Sequence, residues 1–215
     1  MNNFDPKPQI FESEFVRIEP MTMAHAEDLM LAGSAPELWR YIVPNRCETL
    51  ESTKHWVDFF LNEQKAGKLI PFVIYDKRTE KIVGQTTYVN IDRQHKGIEV
   101  GYTFIQPEVQ RSGLNRQCKY MLITHAFETL GANRVQLQTS EKNDKSRNAI
   151  LGIGAQFEGI RRYDRIQGDG SIRSSAYFSI VKPEWPQTKQ TLINKMADYG
   201  QSNIEFQVLE VQGEG

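Results

Sequence analysis

The chain has 215 residues, 39% hydrophobic and 25% charged, values typical of a globular protein with its own core. Its 26 basic and 27 acidic residues leave a formal charge of −1, which excludes the strongly basic class of nucleic-acid and membrane-surface binders. We therefore expect neither a nucleic acid nor a membrane as partner.

Cysteine usage and the N-terminal sequence bear on where the protein works. Two cysteines, Cys47 and Cys118, cannot form a disulfide framework, and we expect both to be buried thiols. The stretch MNNFDPKPQIFESEF lacks the basic start and apolar run of a signal peptide. No apolar run approaches the ~20 residues that span a bilayer. These features predict a cytoplasmic protein.

The first half of the chain predicts one strand, two helices and three further strands. Residues 14–21 alternate between polar and apolar and form the first strand. Helices follow over residues 22–33 and 49–67, each with a threonine cap and a glycine stop, and PELWRYIV between them forms a short turn. The next three strands are IPFVIYDK, KIVGQTTYVNID and GIEVGYTF.

The second half predicts a helix ending at Leu130, the strand NRVQLQTS, the short helix NDKSRNAILGIGA and a last strand pair around QGDG. The order β-α-α-β-β-β-α-β-α-β-β indicates an α+β fold with a mixed, mostly antiparallel central sheet flanked by helices. A right-handed crossover at the middle helix predicts parallel pairing of residues 101–104 with residues 135–139.

The chain becomes polar after Trp185, which predicts a loose helix and a frayed tail. We therefore expect a domain of residues 1–186 and a polar C-terminal extension of residues 187–215.

The loop QRSGLN, Gln110–Asn115, lies between an alternating strand and an amphipathic helix. Backbone N–H groups at a helix start, a glycine that permits close approach, and Arg111 and Arg116 nearby suit a phosphate or pyrophosphate. The loop lacks both the G-x-G-x-x-G and the G-x-x-x-x-G-K-[ST] patterns. An ordinary strand-to-helix turn is the alternative.

QRSGLN also resembles the Q/R-x-x-G-x-G/A signature of the GCN5-related N-acetyltransferases (GNAT). IEVGYTF before the loop is similar to the family's fourth strand. NDKSRNAILGIGAQFEG carries the N-x-x-S-…-G-A/F-x-x-E-G pattern of the RimJ/RimL type, which acetylates ribosomal-protein N-termini. The resemblance covers roughly Phe15 to Trp185.

Three positions depart from the family pattern. Asn115 stands where the loop signature ends in glycine or alanine, and Gln117 stands where many relatives have glutamate. The tyrosine that many members use as general acid falls at Ile150, so that role must move or be absent.

The resemblance implies acetyl-CoA as cosubstrate and no metal. Residues of the loop would hold the pyrophosphate, the backbone of Phe104 and Ile105 would pair with the pantetheine arm, and Asn143 would contact that arm or cap the short helix. The implied cofactor-binding residues are Phe104, Ile105, Gln110, Arg111, Ser112, Gly113, Leu114, Asn115, Asn143 and Ser146.

Two residues are candidates for catalysis. Glu99 would accept the proton of the amine through water, or else bind the ammonium group or simply face solvent. Ser146 matches the serine that RimL-like enzymes offer as proton donor to the leaving thiolate, or else bonds to backbone. Candidate acceptor contacts are Trp39, Tyr41, Tyr163 and Asp164.

These features predict direct acetyl transfer to a primary amine in a ternary complex. Both a protein N-terminal α-amine and a small-molecule amine stay open as acceptor. The rivals are a catalytically silent acyl-CoA-binding sensor or scaffold, and a structural domain with a fortuitous loop. Relatives are often dimers, so a homodimer is a further expectation.

Overall fold

A computed structural model of the protein describes residues 4–42, 44–201 and 204–211. Its strands are β1 Gln9–Ser13, β2 Val16–Pro20, β3 Ile70–Asp76, β4 Lys81–Asp92, β5 Gly97–Ile105, β6 Arg134–Ser140, β7 Gln156–Ile166, β8 Ile172–Val181 and β9 Phe206–Glu210. Its α-helices are α1 Ala26–Ala32, α2 Leu50–Lys65, α3 Leu114–Thr124, α4 Asp144–Gly152 and α5 Trp185–Ala197.

The described strands form one sheet in the order β7-β8-β6-β5-β4-β3-β2-β1-β9. Neighbouring strands pair antiparallel except β5 and β6, which are parallel because α3 carries the chain across between them. The predicted α+β fold with a mixed, mostly antiparallel sheet is confirmed.

Two apolar cores lie on the two faces of the sheet. The larger packs α3 and α5 against the sheet and includes Phe72, Met121 and Leu192, all fully buried. The smaller lies under α1 and α2 and includes Leu29 and Phe60. Because side chains alternate between the faces of a strand, each central strand contributes to both cores.

Helix α2 shows how local sequence specifies an element. The Thr49 side chain accepts a hydrogen bond from Ser52 N at 3.1 Å, and this caps the first turn. The buried residues Thr53, Val57 and Phe60 follow at helical spacing and face the smaller core.

The N-terminal part contains a strand that the sequence analysis did not predict. β1 forms a hairpin with β2, and the Ser13 hydroxyl accepts from Val16 N at 3.2 Å in the turn. Phe11 of β1 is fully buried in the larger core. The single predicted strand over residues 14–21 corresponds to β2 alone.

The C-terminal part also differs from the predicted loose helix and frayed tail. Trp185, Leu192 and Met196 form one buried stripe along α5, and β9 pairs with β1 at the sheet edge. The polar residues of this segment are the solvent face of an amphipathic helix, which a composition argument cannot distinguish from an unfolded tail. The division of the chain at residue 187 stays a prediction.

Leu192→Ala tests how firmly α5 belongs to the core. We expect it to lower the free energy of unfolding by about 2–5 kcal/mol, because it opens a cavity beneath a fully buried side chain. Denaturant unfolding measures the change, with Leu151→Ala as control, since Leu151 is 47% exposed in α4. Equal small losses in both variants would mean that α5 is loosely attached.

Candidate active site

The parallel strands β5 and β6 part after three residue pairs. Gly97, Ile98 and Glu99 pair with Arg134, Val135 and Gln136, and the strands separate beyond them. The predicted parallel pairing of residues 101–104 with 135–139 was therefore wrong.

The cause of this separation lies in β5 itself. Its pairing with β4 shifts register between Gln85 and Thr87, and Tyr102 has the left-handed backbone angle φ of 47°. Such an angle is unusual for a residue with a side chain and marks a bulge that turns the strand. The bulge leaves a gap between β5 and β6.

Glu99 lies at the last paired position, where the gap begins, and is 2% exposed. Its Oε2 accepts hydrogen bonds from Asn90 Nδ2 and Gln136 Nε2, and its Oε1 from Gln138 Nε2, each at 2.8 Å. Three neutral amide donors thus hold a buried carboxylate in place. We call Glu99 with Asn90, Gln136 and Gln138 the amide clamp.

Gly101 lies directly beside the clamped carboxylate. A Cβ atom at this position would stand 3.1 Å from Glu99 Oε1 and 3.2 Å from a Val89 methyl. Oε1 accepts only one of the three amide bonds, so a lone pair stays available there. A side chain at residue 101 would therefore crowd this lone pair.

The loop at the start of α3 has the geometry of an anion site. Arg111 and Gly113 have left-handed φ angles of 61° and 84°, and Gly113 directly precedes the helix. The first N–H bonded back into the helix is that of Gln117, at 3.0 Å from Gly113 O. The N–H groups of residues 114–116 therefore have no acceptor within the helix, as an anion-binding helix start requires.

Two cationic side chains contact this loop, and one of them, Arg78, is also ion-paired with Asp76 at 2.9 Å. Lys145 Nζ donates to Gln110 Oε1, and an Arg78 guanidinium nitrogen lies 3.5 Å from Ser112 Oγ. Arg116, by contrast, donates to Lys195 O at 3.0 Å and packs over the Tyr199 ring, so it is turned toward the α5 end. The sequence missed Lys145 and Arg78 because both come from distant segments.

Gln201 covers the other side of the loop. It is 3% exposed, and its Nε2 donates to Ser112 O at 3.0 Å. A Cβ at Gly113 would approach Gln201 Oε1 to 2.7 Å. The glycine is therefore required both by its backbone angle and by the side chain packed on it.

The remaining predicted cofactor contacts come from β5, from the start of α3 and from α4. Asn143 Oδ1 accepts from Ser146 N at 3.1 Å, so Asn143 caps α4, while Ser146 lies half-buried in the first turn. Phe104 and Ile105 belong to the part of β5 that has left β6, and Leu114 is buried in the larger core.

Two of the predicted acceptor contacts lie in the N-terminal region. Trp39 is buried, donates to Gly33 O at 2.7 Å, and lines a small apolar pocket with Trp56 and Tyr102. Tyr41 is half-buried beneath the Arg40 guanidinium, which lies 5.8 Å from the ring centre.

The other two predicted acceptor contacts lie on β7. Tyr163 is 77% exposed, and Asp164 Oδ2 accepts from Tyr177 OH at 3.1 Å. Ile150, where many relatives have the acidic tyrosine, is a core residue at 8% exposure, so it offers nothing to this site.

Lys119 is a further site residue that the sequence analysis missed. It is 7% exposed on α3, and its Nζ donates to Thr103 Oγ1 at 2.8 Å, behind the bulge of β5. Burial lowers the pKa of Lys119 from 10.5 to about 8, although nearby Cys118 and Glu99 act in the opposite direction. A lysine between the buried residues Cys118 and Tyr120 was the available signal.

A family model described as "Acetyltransferase (GNAT) domain" matches residues 16–156, which include the gap, the amide clamp and the loop. The chain belongs to the GNAT acetyltransferase family. The resemblance inferred from QRSGLN is thus confirmed, and the chain is an N-acetyltransferase.

The relatives of this GNAT protein are also described as N-acetyltransferases. "Uncharacterized N-acetyltransferase YoaA" of Bacillus subtilis is 27% identical over 81% of this chain and 97% of its own. "Putative ribosomal N-acetyltransferase YdaF" of the same species is 33% identical over 60% of this chain and 65% of its own. A solved GCN5-related N-acetyltransferase from Brucella melitensis is 26% identical with a TM-score of 0.82, covering 89% of this chain and 87% of that one.

Within the described ranges, no helix has both the length and the apolar character needed to cross a bilayer. The same ranges contain no group of three or more His, Cys, Asp or Glu placed to hold a metal ion.

Gly113→Asp and Gly113→Asn test the loop as the cofactor cradle. Both variants meet Gln201 and the same φ angle, but only aspartate adds a negative charge where the pyrophosphate would bind. For the parent, acetyl-CoA at 100 times its Kd should stabilise the fold by about 2.7 kcal/mol. We expect aspartate to abolish the thermal shift and asparagine to retain more of it.

Gly131→Asp is the control for backbone strain, because Gly131 has a φ of 72° and no atoms within 4 Å of an added Cβ. It should lower the melting temperature and keep the shift. A full shift in Gly113→Asp would remove the loop from the binding site.

Lys119→Met tests the buried cation through the pH dependence of stability. The folded pKa lies below the unfolded one, so the unfolded state binds more protons between about pH 8 and 10.5, and stability rises across that window. Removing the lysine should raise the free energy of unfolding at pH 7 by up to about 3 kcal/mol and flatten this rise. Denaturant titrations at several pH values measure both effects.

Lys54→Met is the matched control, because Lys54 is exposed on α2. The free energy of unfolding of this variant should depend on pH as that of the parent does. If the free energy of unfolding of Lys119→Met still rises between about pH 8 and 10.5, the ammonium group of Lys119 is not desolvated in the parent.

Proposed function

We propose that this GNAT enzyme transfers the acetyl group of acetyl-CoA directly to the α-amine of a protein N-terminus, with Glu99 as the proton acceptor. The observation that carries the proposal is the amide clamp at the point where β5 and β6 part. There a buried carboxylate with one available lone pair lies where the gap begins.

The residues present fit acetyl-CoA. The loop of residues 110–115 offers unpaired helix-start N–H groups, a glycine without Cβ, and cations from Arg78, Arg111 and Lys145. The unpaired part of β5, with Phe104 and Ile105, would bond the pantetheine amides. Solved proteins of the same fold, each under 25% identical, are complexes with CoA-disulfide and with acetyl-CoA. When bound, acetyl-CoA supplies an activated acyl group.

Glu99 would take the proton of the acceptor ammonium through water at Oε1. The α-ammonium group of a protein N-terminus has a pKa of about 8, so it is mostly protonated at neutral pH, and a nearby carboxylate helps to produce the free amine. The clamp fixes the carboxylate because its other lone pairs meet Asn90, Gln136 and Gln138. Binding the ammonium without accepting its proton is the alternative role.

Ser146 and Lys119 are the candidates to supply a proton to the leaving sulfur. Ser146 lies in the first turn of α4, and Lys119 lies behind the unpaired part of β5 through Thr103. With its pKa lowered to about 8, Lys119 is mostly protonated at neutral pH yet is a better proton donor than an ordinary lysine.

Direct transfer is supported by the state of the two thiols. Burial raises the pKa of Cys47 to about 11 and that of Cys118 to about 12. The thiolate is the nucleophilic form, so neither cysteine is suited to carry the acyl group. This favours attack by the amine itself.

A protein N-terminus is supported as acceptor by the relatives and by the shape of the acceptor side. YdaF is named "Putative ribosomal N-acetyltransferase", and a solved structure of similar fold from Vibrio cholerae is described as "a putative ribosomal-protein-serine acetyltransferase". The β7–β8 hairpin carries exposed apolar side chains, Tyr163, Ile166 and Ile172. An open side of this kind admits a chain more readily than it encloses a small amine. The expected homodimer stays a prediction.

Glu99→Gln tests the proposed base. We expect kcat to fall by roughly 10²-fold or more with KM little changed, because an amide cannot accept the proton. The assay is acetylation of a peptide with a free N-terminus. The release of free thiol gives the rate, and the mass of the peptide confirms the product. A higher KM at unchanged kcat would instead assign Glu99 to ammonium binding.

Glu158→Gln is the matched control, since Glu158 is a strand glutamate paired with Arg134 outside the clamp. Gly101→Ala should lower kcat without unfolding the protein, because its methyl crowds Oε1. Full activity in both Glu99→Gln and Gly101→Ala would remove Glu99 from the proton route.

A further inference from the structure

Two arginines face each other across the β7–β8 hairpin. Arg165 of β7 and Arg173 of β8 are direct cross-strand partners, followed by Ile166 and Ile172. Directly opposed residues of an antiparallel pair project from the same face with Cβ atoms about 4.5–5.5 Å apart, and like charges at such positions repel. We call Arg165 and Arg173 the arginine pair.

The pair is not neutralised by an ion pair within the described residues. No carboxylate lies within 4 Å of either guanidinium there, and the Arg173 Nε donates to the Ser175 hydroxyl at 3.2 Å. Asp164 is near enough to favour the charge of Arg173, but its Oδ2 is bonded to Tyr177 OH. Burial first, and Arg165 second, lower the pKa of Arg173. The fold thus holds a partly desolvated cation against a like charge.

The arginine pair lies on the same face of the sheet as the carboxylate of Glu99. Gln138, which donates to Glu99, is the cross-strand partner of Tyr177 on β8. Arg173 is four residues from Tyr177 along β8 and so projects from the same face. Tyr102, at the bulge where the gap opens, lies close enough to raise the pKa of Arg173.

The pair is separate from the cations that contact the cofactor loop. Lys145 and Arg78 contact residues of that loop, whereas Arg173 donates to Ser175 and lies close enough to Tyr177 and Tyr102 for them to raise its pKa. An anion bound by the pair would therefore belong to the acceptor.

We infer that the arginine pair binds a carboxylate carried by the acceptor, so that the preferred substrate is an amine bearing a nearby negative charge. This rests on the proposed function and specifies its substrate. Guanidinium groups bind carboxylates through paired, charge-assisted hydrogen bonds, and a carboxylate between Arg165 and Arg173 would also relieve their repulsion. The carboxylate would come from an acidic side chain near the protein N-terminus. A free amino acid is the other source of the same chemistry, and it would replace the protein N-terminus as acceptor.

The test compares acceptors that differ only in that charge. The first pair is the peptides Ser-Glu-Ala-Ala-amide and Ser-Gln-Ala-Ala-amide, and the second is free serine and serine amide. We expect kcat/KM to be about 10- to 100-fold higher for the acidic member of one pair, the range of a charge-assisted hydrogen bond. A preference in the first pair assigns an acidic side chain, and one in the second assigns an amino-acid carboxylate.

Arg173→Gln and Arg165→Gln should each reduce that preference to less than about threefold. The same preference should weaken as the salt concentration rises. Arg162→Gln removes an exposed arginine of the same hairpin and should keep the preference. An equal loss in Arg162→Gln would overturn the inference, because overall charge would then account for the effect.

Stability supplies a second readout. If Arg173 is held for binding, Arg173→Gln should raise the melting temperature, because it removes a partly buried cation and its repulsion with Arg165. A lowered melting temperature together with an unchanged acceptor preference would make Arg173 structural and overturn the inference.

The two proposals fail in different ways. Equal rates for acidic and neutral acceptors would refute the arginine pair alone. No thiol release with any amine, and no thermal shift with acetyl-CoA, would refute the proposed function.

Discussion

The separation of β5 from β6 is the constraint on which the site depends. A parallel pair that continued to the strand ends would satisfy its own backbone groups and leave no room for a ligand. The bulge at Tyr102 ends the pairing at Glu99, and β5 then presents unpaired backbone groups to the gap. The surrounding sheet tolerates this because β4 and β8 hold the two strands from outside.

The amide clamp stabilises the carboxylate of Glu99 at the point where the two strands separate. A buried carboxylate at the end of a ladder would be costly without partners. Amides stabilise it through hydrogen bonds without adding an opposite charge. Polar residues at Gln136 and Gln138, which alternate with core residues on β6, therefore serve the site rather than the solvent.

Much of the fold could be predicted from the sequence, because hydrophobic periodicity and glycine stops are local signals. The order of elements and the loop at Gly113 follow from them. The strand β1, the packing of α5 and the end of the parallel pairing could not, because each depends on contacts between segments far apart in the chain. Register in particular is decided by bulges such as the one at Tyr102, which no propensity reveals.

Some residues of the candidate site could likewise be predicted from the sequence, and others could not. Glu99, Gly113 and Ser146 could be named as candidates because the family motifs contain them. The clamp amides, Lys119 and the arginine pair could not, since each has meaning only through a partner on another strand or helix. A lysine on a core-facing helix position and two arginines in one hairpin look like ordinary surface residues until burial and register are known.

The contact of Gln201 with the cofactor loop has a thermodynamic consequence. Gln201 follows α5 and packs directly on Gly113. Docking of this segment and the observed conformation of the loop therefore stabilise each other. By linkage, a ligand that stabilises the loop as it stands also holds the segment down, and a partner that lifts the segment weakens the ligand by the same factor. The chain after α5 is therefore energetically part of the phosphate site, although it lies more than eighty residues away in sequence.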